Sequence, residues 1–328
     1  MSAILGRAPG VPSRHVMQTF IQVCEVWVPS RDRRLLEFHG GLFGPHHAFR
    51  AVSERMCFGL DEGLPGKAWA ERRPIILEDL QGSYFRRAEA ARNAGLTCGV
   101  AMPIFAGDYL LAVVVLFCGG DDERVGAIEL WHNDPAESRD MALVEGHYGI
   151  AESFERVARR TLFREGFGMP GAIWKSGMPE IFSNLWDAGR FLRADDARRV
   201  GLSKGLGLPS PYAPGQNYVM TLLSALGTPI ARRFEVWVPD ATRTFLVPQA
   251  VDCASNPEAS SEYAGVRLAP GEGPIGAVRA SGLPEVAGSV AEDGSPVGHA
   301  ARRAGLNAML AFPVMEGGRC KAVVALYF

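Results

Sequence analysis

The stretch Ala91-Arg92-Asn93-Ala94-Gly95-Leu96 decides the organisation of this chain, because it occurs three times. It returns as Ala197-Arg198-Arg199-Val200-Gly201-Leu202 and as Ala301-Arg302-Arg303-Ala304-Gly305-Leu306, and a proline follows each copy at the same interval. The copies lie about 105 residues apart, and an internal period of this kind sets the domain count. Length alone would suggest about two domains. The repeats predict three, each large enough to bury its own core.

Other segments recur in the same order. Glu25-Val26-Trp27-Val28-Pro29 returns as Glu235-Val236-Trp237-Val238-Pro239, and Ile128-Glu129-Leu130-Trp131 stands between them. Gly63-Leu64-Pro65-Gly66 is matched by Gly168-Met169-Pro170-Gly171. We therefore expect a tail at residues 1–12, followed by repeats at 13–120, 121–228 and 229–328, of which the third is degenerate.

Composition excludes several classes of protein. The net charge is -2 without a concentrated basic segment, which argues against a nucleic-acid partner. The longest apolar run, Tyr109 to Cys118, is about half the length of a membrane span, and the N-terminus has no signal-peptide pattern. The six cysteines share no repeated spacing, which indicates reduced thiols. We expect a cytoplasmic protein without a membrane partner.

The first repeat reads as an α+β unit. β-Branched and apolar runs predict strands at 23–28, 35–43, 75–77, 98–105 and 109–117. A loop and a short helix are predicted over 46–58, and further helices after Pro65 and over 85–94, the last ending at Gly95. The order β-β-α-α-β-α-β-β predicts an antiparallel sheet crossed by helices.

These segments resemble the GAF domain, a small-molecule-binding and signalling module. The resemblance rests on Gly63-Leu64-Pro65-Gly66, on Arg73-Pro74-Ile75-Ile76-Leu77-Glu78-Asp79-Leu80, and on Phe85-Arg86-Arg87 leading to Ala94-Gly95-Leu96 and Ala101-Met102-Pro103-Ile104. It implies three tandem GAF-like domains, each with a six-stranded antiparallel sheet and a pocket between the sheet and the crossing helices. Long flanking helices are usual in relatives, but the segments 118–124 and 227–233 are too short for a helix of about 11 residues.

The resemblance places a candidate ligand site in repeats 1 and 2. Trp69 and Phe85 would stack on a planar ligand or pack in the core, and Arg87 would neutralise an anion or pair with a neighbouring acid. Asp79 would cap a helix or contact the ligand. The strand carrying Cys98 and Met102 would form a wall. The counterparts in repeat 2 are Trp174, Asn184, Phe191 and Arg193, whereas repeat 3 has Ser295 and Val297 in place of the aromatic residue and the cation.

Catalytic and metal sites are not indicated. His46-His47 has no carboxylate or cysteine at ligand spacing, and no nucleophile, zinc or phosphate-loop motif occurs. The signatures of the family's cyclic-nucleotide and bilin binders are missing as well. Some relatives reduce free methionine sulfoxide with cysteines near the pocket, and Cys57, Cys98 and Cys118 keep that alternative open.

The sequence therefore predicts a non-catalytic regulatory protein that binds a small ligand in repeat 1 or 2 and acts on a separate effector protein. One alternative is an interaction scaffold without a ligand, and another is a cysteine-dependent methionine sulfoxide reductase-like enzyme. The sequence identifies no cofactor. The closing strands 110–117 and 322–328 are apolar on both sides, so neighbouring repeats or the second subunit of a homodimer must cover them.

Overall fold

A computed structural model describes residues 19–120, 124–211 and 213–328, so the tail at 1–12 lies outside the described residues. Three antiparallel sheets follow one another along the chain. The first repeat contains the elements β1 (Ile21–Pro29), β2 (Leu35–Leu42), α1 (His47–Ser53), β3 (Cys57–Gly59), α2 (Gly63–Glu71), β4 (Ile75–Leu77), α3 (Ala88–Asn93), β5 (Leu96–Ala106) and β6 (Tyr109–Gly119).

The second and third repeats run through the same order. Repeat 2 contains β7 (Gly126–Asn133), β8 (Asp140–His147), α4 (Glu152–Ala158), β9 (Leu162–Arg164), α5 (Gly168–Ser176), β10 (Glu180–Phe182), α6 (Ala194–Val200), β11 (Leu202–Ser210) and β12 (Asn217–Ala225). Repeat 3 contains β13 (Arg233–Pro239), β14 (Leu246–Cys253), α7 (Gly273–Ser281), β15 (Glu285–Ala287), α8 (Pro296–Ala304), β16 (Met309–Glu316) and β17 (Arg319–Tyr327), with short 3-10 turns at Ala259–Tyr263 and Val290–Glu292.

The strand order is the same in each sheet. Repeat 1 has the order β3-β2-β1-β6-β5-β4, and repeat 2 repeats it with β9-β8-β7-β12-β11-β10. Within the described residues, repeat 3 has five strands, β14-β13-β17-β16-β15, and an isolated bridge between Leu246 and Leu268 in place of the outermost strand. The predicted α+β fold of three repeats, each with an antiparallel sheet and without long helices between the sheets, is therefore confirmed. The six-stranded sheet implied by the resemblance holds for the first two repeats only.

The Gly-x-Pro-Gly segment of repeats 1 and 2, which is replaced by Gly273-Pro274-Ile275-Gly276 in repeat 3, opens the helix that crosses the sheet. Its last glycine is Gly66, Gly171 or Gly276, and a Cβ there would lie 2.0, 2.1 or 2.5 Å from a backbone carbonyl oxygen. A side chain at that position would collide with backbone, so the close approach explains why all three copies keep glycine.

The three tryptophans occupy equivalent sites. Trp27, Trp131 and Trp237 are fully buried on the first strand of their repeats. In every sheet the register shifts by a β-bulge immediately before the tryptophan. The same irregularity at the same residue supports a common ancestor for the three repeats.

Helices cover only one face of each sheet. In β6, Val113, Val115 and Phe117 pack under the helices of repeat 1, while Val114 and Leu116 point to the opposite side. That opposite side belongs to a single apolar cluster, to which all three sheets and the two helices of repeat 3 contribute. Neighbouring repeats therefore cover the apolar faces, which is the first of the two arrangements that the sequence allowed.

The repeats close into a ring around an approximate threefold axis. The short strand β4 contacts β7 and β8 of repeat 2, β10 contacts β13 and β14 of repeat 3, and β15 contacts β2 of repeat 1. The equivalent prolines Pro103, Pro209 and Pro313 meet at one small cavity of about 30 Å³, which marks the axis. Each repeat thus uses the same two surfaces, as in a heterologous ring of identical subunits. Among the described residues, no helix is long and apolar enough to cross a membrane.

Candidate functional site

A buried ion-pair cluster lies under the helices of repeat 1. Glu25 and Trp27 stand two residues apart on β1 and therefore share a face. The indole nitrogen of Trp27 donates to Glu25 Oε2 at 3.0 Å. Arg87, at the start of α3, donates Nη1 to Glu25 Oε1 at 2.5 Å and Nη2 to Oε2 at 2.9 Å. Nη1 also donates to Ser53 Oγ, at the end of α1, at 2.5 Å. The cluster ties two helices to the sheet.

Repeat 2 contains the same cluster with a different accessory group. Trp131 donates to Glu129 at 3.0 Å, and Arg193 forms bonds of 2.5 and 2.7 Å to the two carboxylate oxygens. The hydroxyls of Tyr148 and Thr221 donate to the same carboxylate at 3.1 and 2.8 Å. Ala158 stands where repeat 1 has Ser53, so repeat 2 lacks the hydroxyl bridge between its helices.

Repeat 3 rebuilds the cluster from other positions. Trp237 donates to Glu235 at 2.8 Å, but Val297 occupies the helix position of the arginine. Arg233, on β13 itself, places Nε 2.7 Å from Glu235 Oε1 as an ion pair. Tyr263 and Tyr327 donate to Glu235 at 2.6 and 2.9 Å. Burial, followed by the nearby carboxylate, raises the pKa of both phenols, so they stay protonated donors.

The guanidinium of Arg87 is enclosed by aromatic rings. Its Cζ lies 4.8 to 5.8 Å from the ring centres of Trp27, Phe49, Phe58, Phe85 and Phe117. The residue is 2% exposed, and Arg193 is 3% exposed. Both arginines therefore have their charge neutralised inside the protein, and an anionic ligand would compete with Glu25 or Glu129 for them.

The site residues predicted from the sequence lie in the buried clusters of repeats 1 and 2, in turns, or on the opposite side of the sheet. Phe85 and Arg87 lie together under the helices, with Trp69 half-buried at the edge of the same cluster. In repeat 2, Phe191 and Arg193 are buried and Trp174 lies half-buried against the same core. The exposed Asp79 accepts the backbone N–H groups of Gln81 and Gly82 at 2.7 and 3.1 Å, and Asn184 accepts that of Trp186 at 2.9 Å, so these two side chains cap turns.

Cys98 and Met102 do not lie near Phe85 and Arg87. They lie on the opposite side of the sheet, in the apolar cluster between the repeats, and are 0% and 7% exposed. Cys98 stands directly across from Cys118, and both are fully buried. Burial, and then the neighbouring Cys118, raises the pKa of Cys24, which disfavours its reactive thiolate. Of the six cysteines, Cys57 alone is exposed.

A cleft opens in the helical layer of repeat 1. It lies between α1 and α3 and has a volume of about 500 Å³. The buried side chains of Phe49 and Arg87 contribute to its lining. Its rim combines polar and apolar groups, namely His46, His47, Val52, Arg86, Glu89 and Asn93.

Sequence reasoning missed the acidic partner of the cluster. Glu25, Glu129 and Glu235 are all fully buried, and each accepts the indole N–H of a tryptophan two residues later. The signal was the Glu-x-Trp pattern present in all three copies. A carboxylate that recurs beside a buried aromatic residue on a strand predicts a buried cation partner.

Part of the chain is similar to known proteins. Residues 14–146 match the sequence model of the GAF domain family. A search of the curated proteins found no match. Among solved structures, the chain is similar to the GAF domain/HD domain protein from Geobacter sulfurreducens, with 18% identity, a TM-score of 0.27, and coverage of 31% of this chain and 65% of that one.

Two further structures illustrate the range of these neighbours. The nlh2 GAF domain of A. aeolicus, in an inactive state, gives 16% identity and a TM-score of 0.25, with coverage of 30% of this chain and 58% of that one. The free methionine-R-sulfoxide reductase of Neisseria meningitidis, in complex with its substrate, gives 11% identity and a TM-score of 0.24, with coverage of 30% of this chain and 52% of that one. The chain thus spans less than two thirds of each of these three structures.

Proposed function

We propose that this protein is a non-catalytic sensor, because residues 14–146 match the sequence model of the GAF domain family and a GAF fold in general supports a sensory or regulatory role. It binds a small molecule in the cleft between α1 and α3 of repeat 1 and passes the signal to a separate effector protein. The observation that carries this proposal is the cleft itself, which reaches the buried ion-pair cluster.

The cleft has the size and lining of a ligand site. Its volume of about 500 Å³ falls within the range of roughly 300–1,000 Å³ that small-molecule pockets occupy. His47, Arg86, Glu89 and Asn93 offer hydrogen-bonding groups around an apolar wall that includes Val52. These groups suit a small polar metabolite with one apolar part.

The contacts below the cleft supply a route for the signal. Ser53 on α1 and Arg87 at the start of α3 contact each other, and Arg87 holds Glu25 on β1. A ligand that separates or draws together the two helices would alter this contact and hence the position of β1. In repeat 2 the hydroxyl is absent, which favours repeat 1 as the sensing repeat.

The thiols argue against the reductase alternative. A catalytic cysteine must reach its substrate as a thiolate, and Cys24, Cys98 and Cys118 are buried in an apolar cluster. Cys57, the exposed cysteine, lies on β3.

The test is to fill the cleft. Val52→Trp places an indole between the helices, and Val157→Trp makes the same change at the equivalent position of α4. Protein purified from its natural host is examined by native mass spectrometry. We expect a retained small molecule in the unchanged protein and in Val157→Trp, and its loss in Val52→Trp. A mass retained by Val52→Trp would place the ligand elsewhere and refute the proposal.

A scaffold function is the second candidate, and one surface feature favours it. Phe167 and Leu192 of repeat 2 are 66% and 56% exposed. The equivalent positions of repeat 1 are Glu62 and Arg86, which form an ion pair at 3.3 Å. Replacing a charged pair by two exposed apolar side chains suits a protein contact. If the purified protein retains no metabolite and a panel of metabolites leaves its melting temperature unchanged, the scaffold function is favoured over the sensor function.

A further inference from the structure

The junction that closes the ring, between repeats 3 and 1, differs from the other two. At the first junction Glu145 of β8 accepts the N–H of Ile76 at 2.6 Å and pairs with Arg73 at 2.7 Å. Gly40 holds the register position of Glu145 in repeat 1, and the structure places it against Val286 of β15. Within the described residues, the carboxylate that bridges repeats 1 and 2 therefore has no counterpart where repeat 3 meets repeat 1.

A second polar pair is also missing there among the residues that the structure describes. At the junction of repeats 2 and 3, Lys204 of β11 forms a largely buried ion pair with Asp252 of β14. The equivalent residues at the ring-closing junction are Ala308 and Leu42, and both line a cavity of about 630 Å³. Two apolar side chains in place of an ion pair leave open space.

The cavity is lined by cationic and hydrogen-bond-donating groups. Arg50, Arg124, Arg232, His46 and His47 line it, and none of the lining residues that the structure describes has a side-chain carboxylate. Glu54, outside the lining, pairs with Arg50 at 2.6 Å, and Arg124 donates Nη1 to the carbonyl of Gly119 at 2.5 Å.

Two donors at the cavity are buried without an acceptor. Arg232 Nε and Gln22 Nε2 have no hydrogen-bond partner among the described residues, although Arg232 Nη1 donates to the carbonyl of Gly305 at 3.2 Å. Buried donors without acceptors are rare in folded proteins, because each loses its bond to water. Both donors line the same cavity.

We propose that this cavity binds a small organic anion, whose carboxylate or phosphate group accepts hydrogen bonds from Arg232 and Gln22 and bridges repeats 3 and 1. The apolar part of the lining, which includes Leu42, Phe43 and Phe328, receives the body of the molecule. The anion performs at this junction the role that Glu145 and Asp252 perform at the other two. The site adjoins the cleft between α1 and α3, with which it shares Pro45, His46 and His47, but its other lining residues are different.

The charge around His46 agrees with an anion site. Burial, and then the positive charges of Arg124 and His47, hold the pKa of His46 below its usual value. An anion in the cavity would offset the two positive charges and raise the pKa of this histidine.

The experiment measures binding of two probes, inorganic phosphate and succinate, by calorimetry at constant ionic strength. We expect one saturable site per chain for at least one probe, and the two arms separate phosphate from carboxylate recognition. Arg232→Gln removes one charged donor and should weaken binding about tenfold or more. Arg55→Gln, an exposed arginine of repeat 1 outside the cavity, should bind as the unchanged protein does.

A second variant protects the test against a folding defect. Leu42→Asp combined with Ala308→Lys transplants the ion pair of the second junction into the cavity. We expect it to abolish binding while the melting temperature stays equal or rises. Binding that is absent in the unchanged protein, or unaffected in both variants, overturns the proposal. Val52→Trp should retain anion binding, so a failure of the cleft as a ligand site is distinguishable from a failure here.

Discussion

Removing the guanidinium of Arg87 tests whether its role is structural. In Arg87→Leu, the carboxylate of Glu25 remains fully buried and keeps only the indole N–H of Trp27 as a partner. Breaking a buried ion pair from one side costs about 3–5 kcal/mol, because an uncompensated charge stays in a medium of low polarity. The leucine also leaves part of the volume between five aromatic rings unfilled, which adds to the cost.

The neighbouring arginine provides the control. Arg86 is exposed and pairs with Glu62 at 3.3 Å, and an exposed pair of this kind contributes about 0.2–1 kcal/mol. Urea unfolding of the full chain, followed by circular dichroism, should therefore separate Arg87→Leu from Arg86→Leu by several kcal/mol. The double variant Arg87→Leu with Glu25→Gln removes the orphaned charge and should be more stable than Arg87→Leu alone.

Two results would contradict the reasoning. Equal stability of Arg86→Leu and Arg87→Leu would mean that the buried pair contributes no more than a surface pair. A double variant less stable than both single variants would mean that Glu25 and Arg87 act independently. Either outcome would favour the ligand-binding role of Arg87, which the sequence allowed, over a structural role.

Three further outcomes follow from the same contacts. Arg233→Val should destabilise the chain by about 3–5 kcal/mol. Adding Val297→Arg should recover part of that loss, because this second change restores the arginine at the position where the other repeats have one. Urea midpoints measure the stability of both variants. Because folding lowers the pKa of His46, the unfolded protein binds a proton at this residue before the folded protein does as the pH falls below about 6.5. The free energy of unfolding should therefore fall with pH in this range, and His46→Gln should reduce that fall. Urea midpoints at pH 7.5 and 5 measure both. Under native conditions iodoacetamide should modify Cys57 and spare Cys98, and rapid modification of Cys98, seen by peptide mass spectrometry, would favour the reductase alternative.

Much of the fold could be read from the sequence, because the apolar and β-branched runs were long and repeated. The strand predicted at 75–77 matches β4, and that at 109–117 lies inside β6. The three residues of β3 gave no pattern of their own and were missed. The helix predicted from Phe85 begins only at Ala88, since Phe85 and Arg87 turn their side chains into the core before the helix starts.

The candidate site was harder to predict than the fold. Arg87 was identified from its alignment with Arg193, but Glu25, its partner, lies 62 positions away on a strand and was not connected to it. Cys98 and Met102 were expected near Phe85, whereas they lie on the other side of the sheet. β5 is apolar on both faces, so alternation could not distinguish the side facing the helices from the side facing the other repeats.

Tandem repeats in one chain allow each junction of a ring to diverge on its own. In a ring of identical subunits a change at one junction is repeated at all of them. Here the first junction has kept the pair Arg73–Glu145 and the second the pair Lys204–Asp252. The linkers also join these two junctions covalently, while repeats 3 and 1 meet only through non-covalent contacts. The junction with Gly40 and Val286 is therefore where ring closure has the fewest constraints. A molecule bound at that point would change the stability of the whole ring, because it acts where no ion pair between described residues holds the two repeats together.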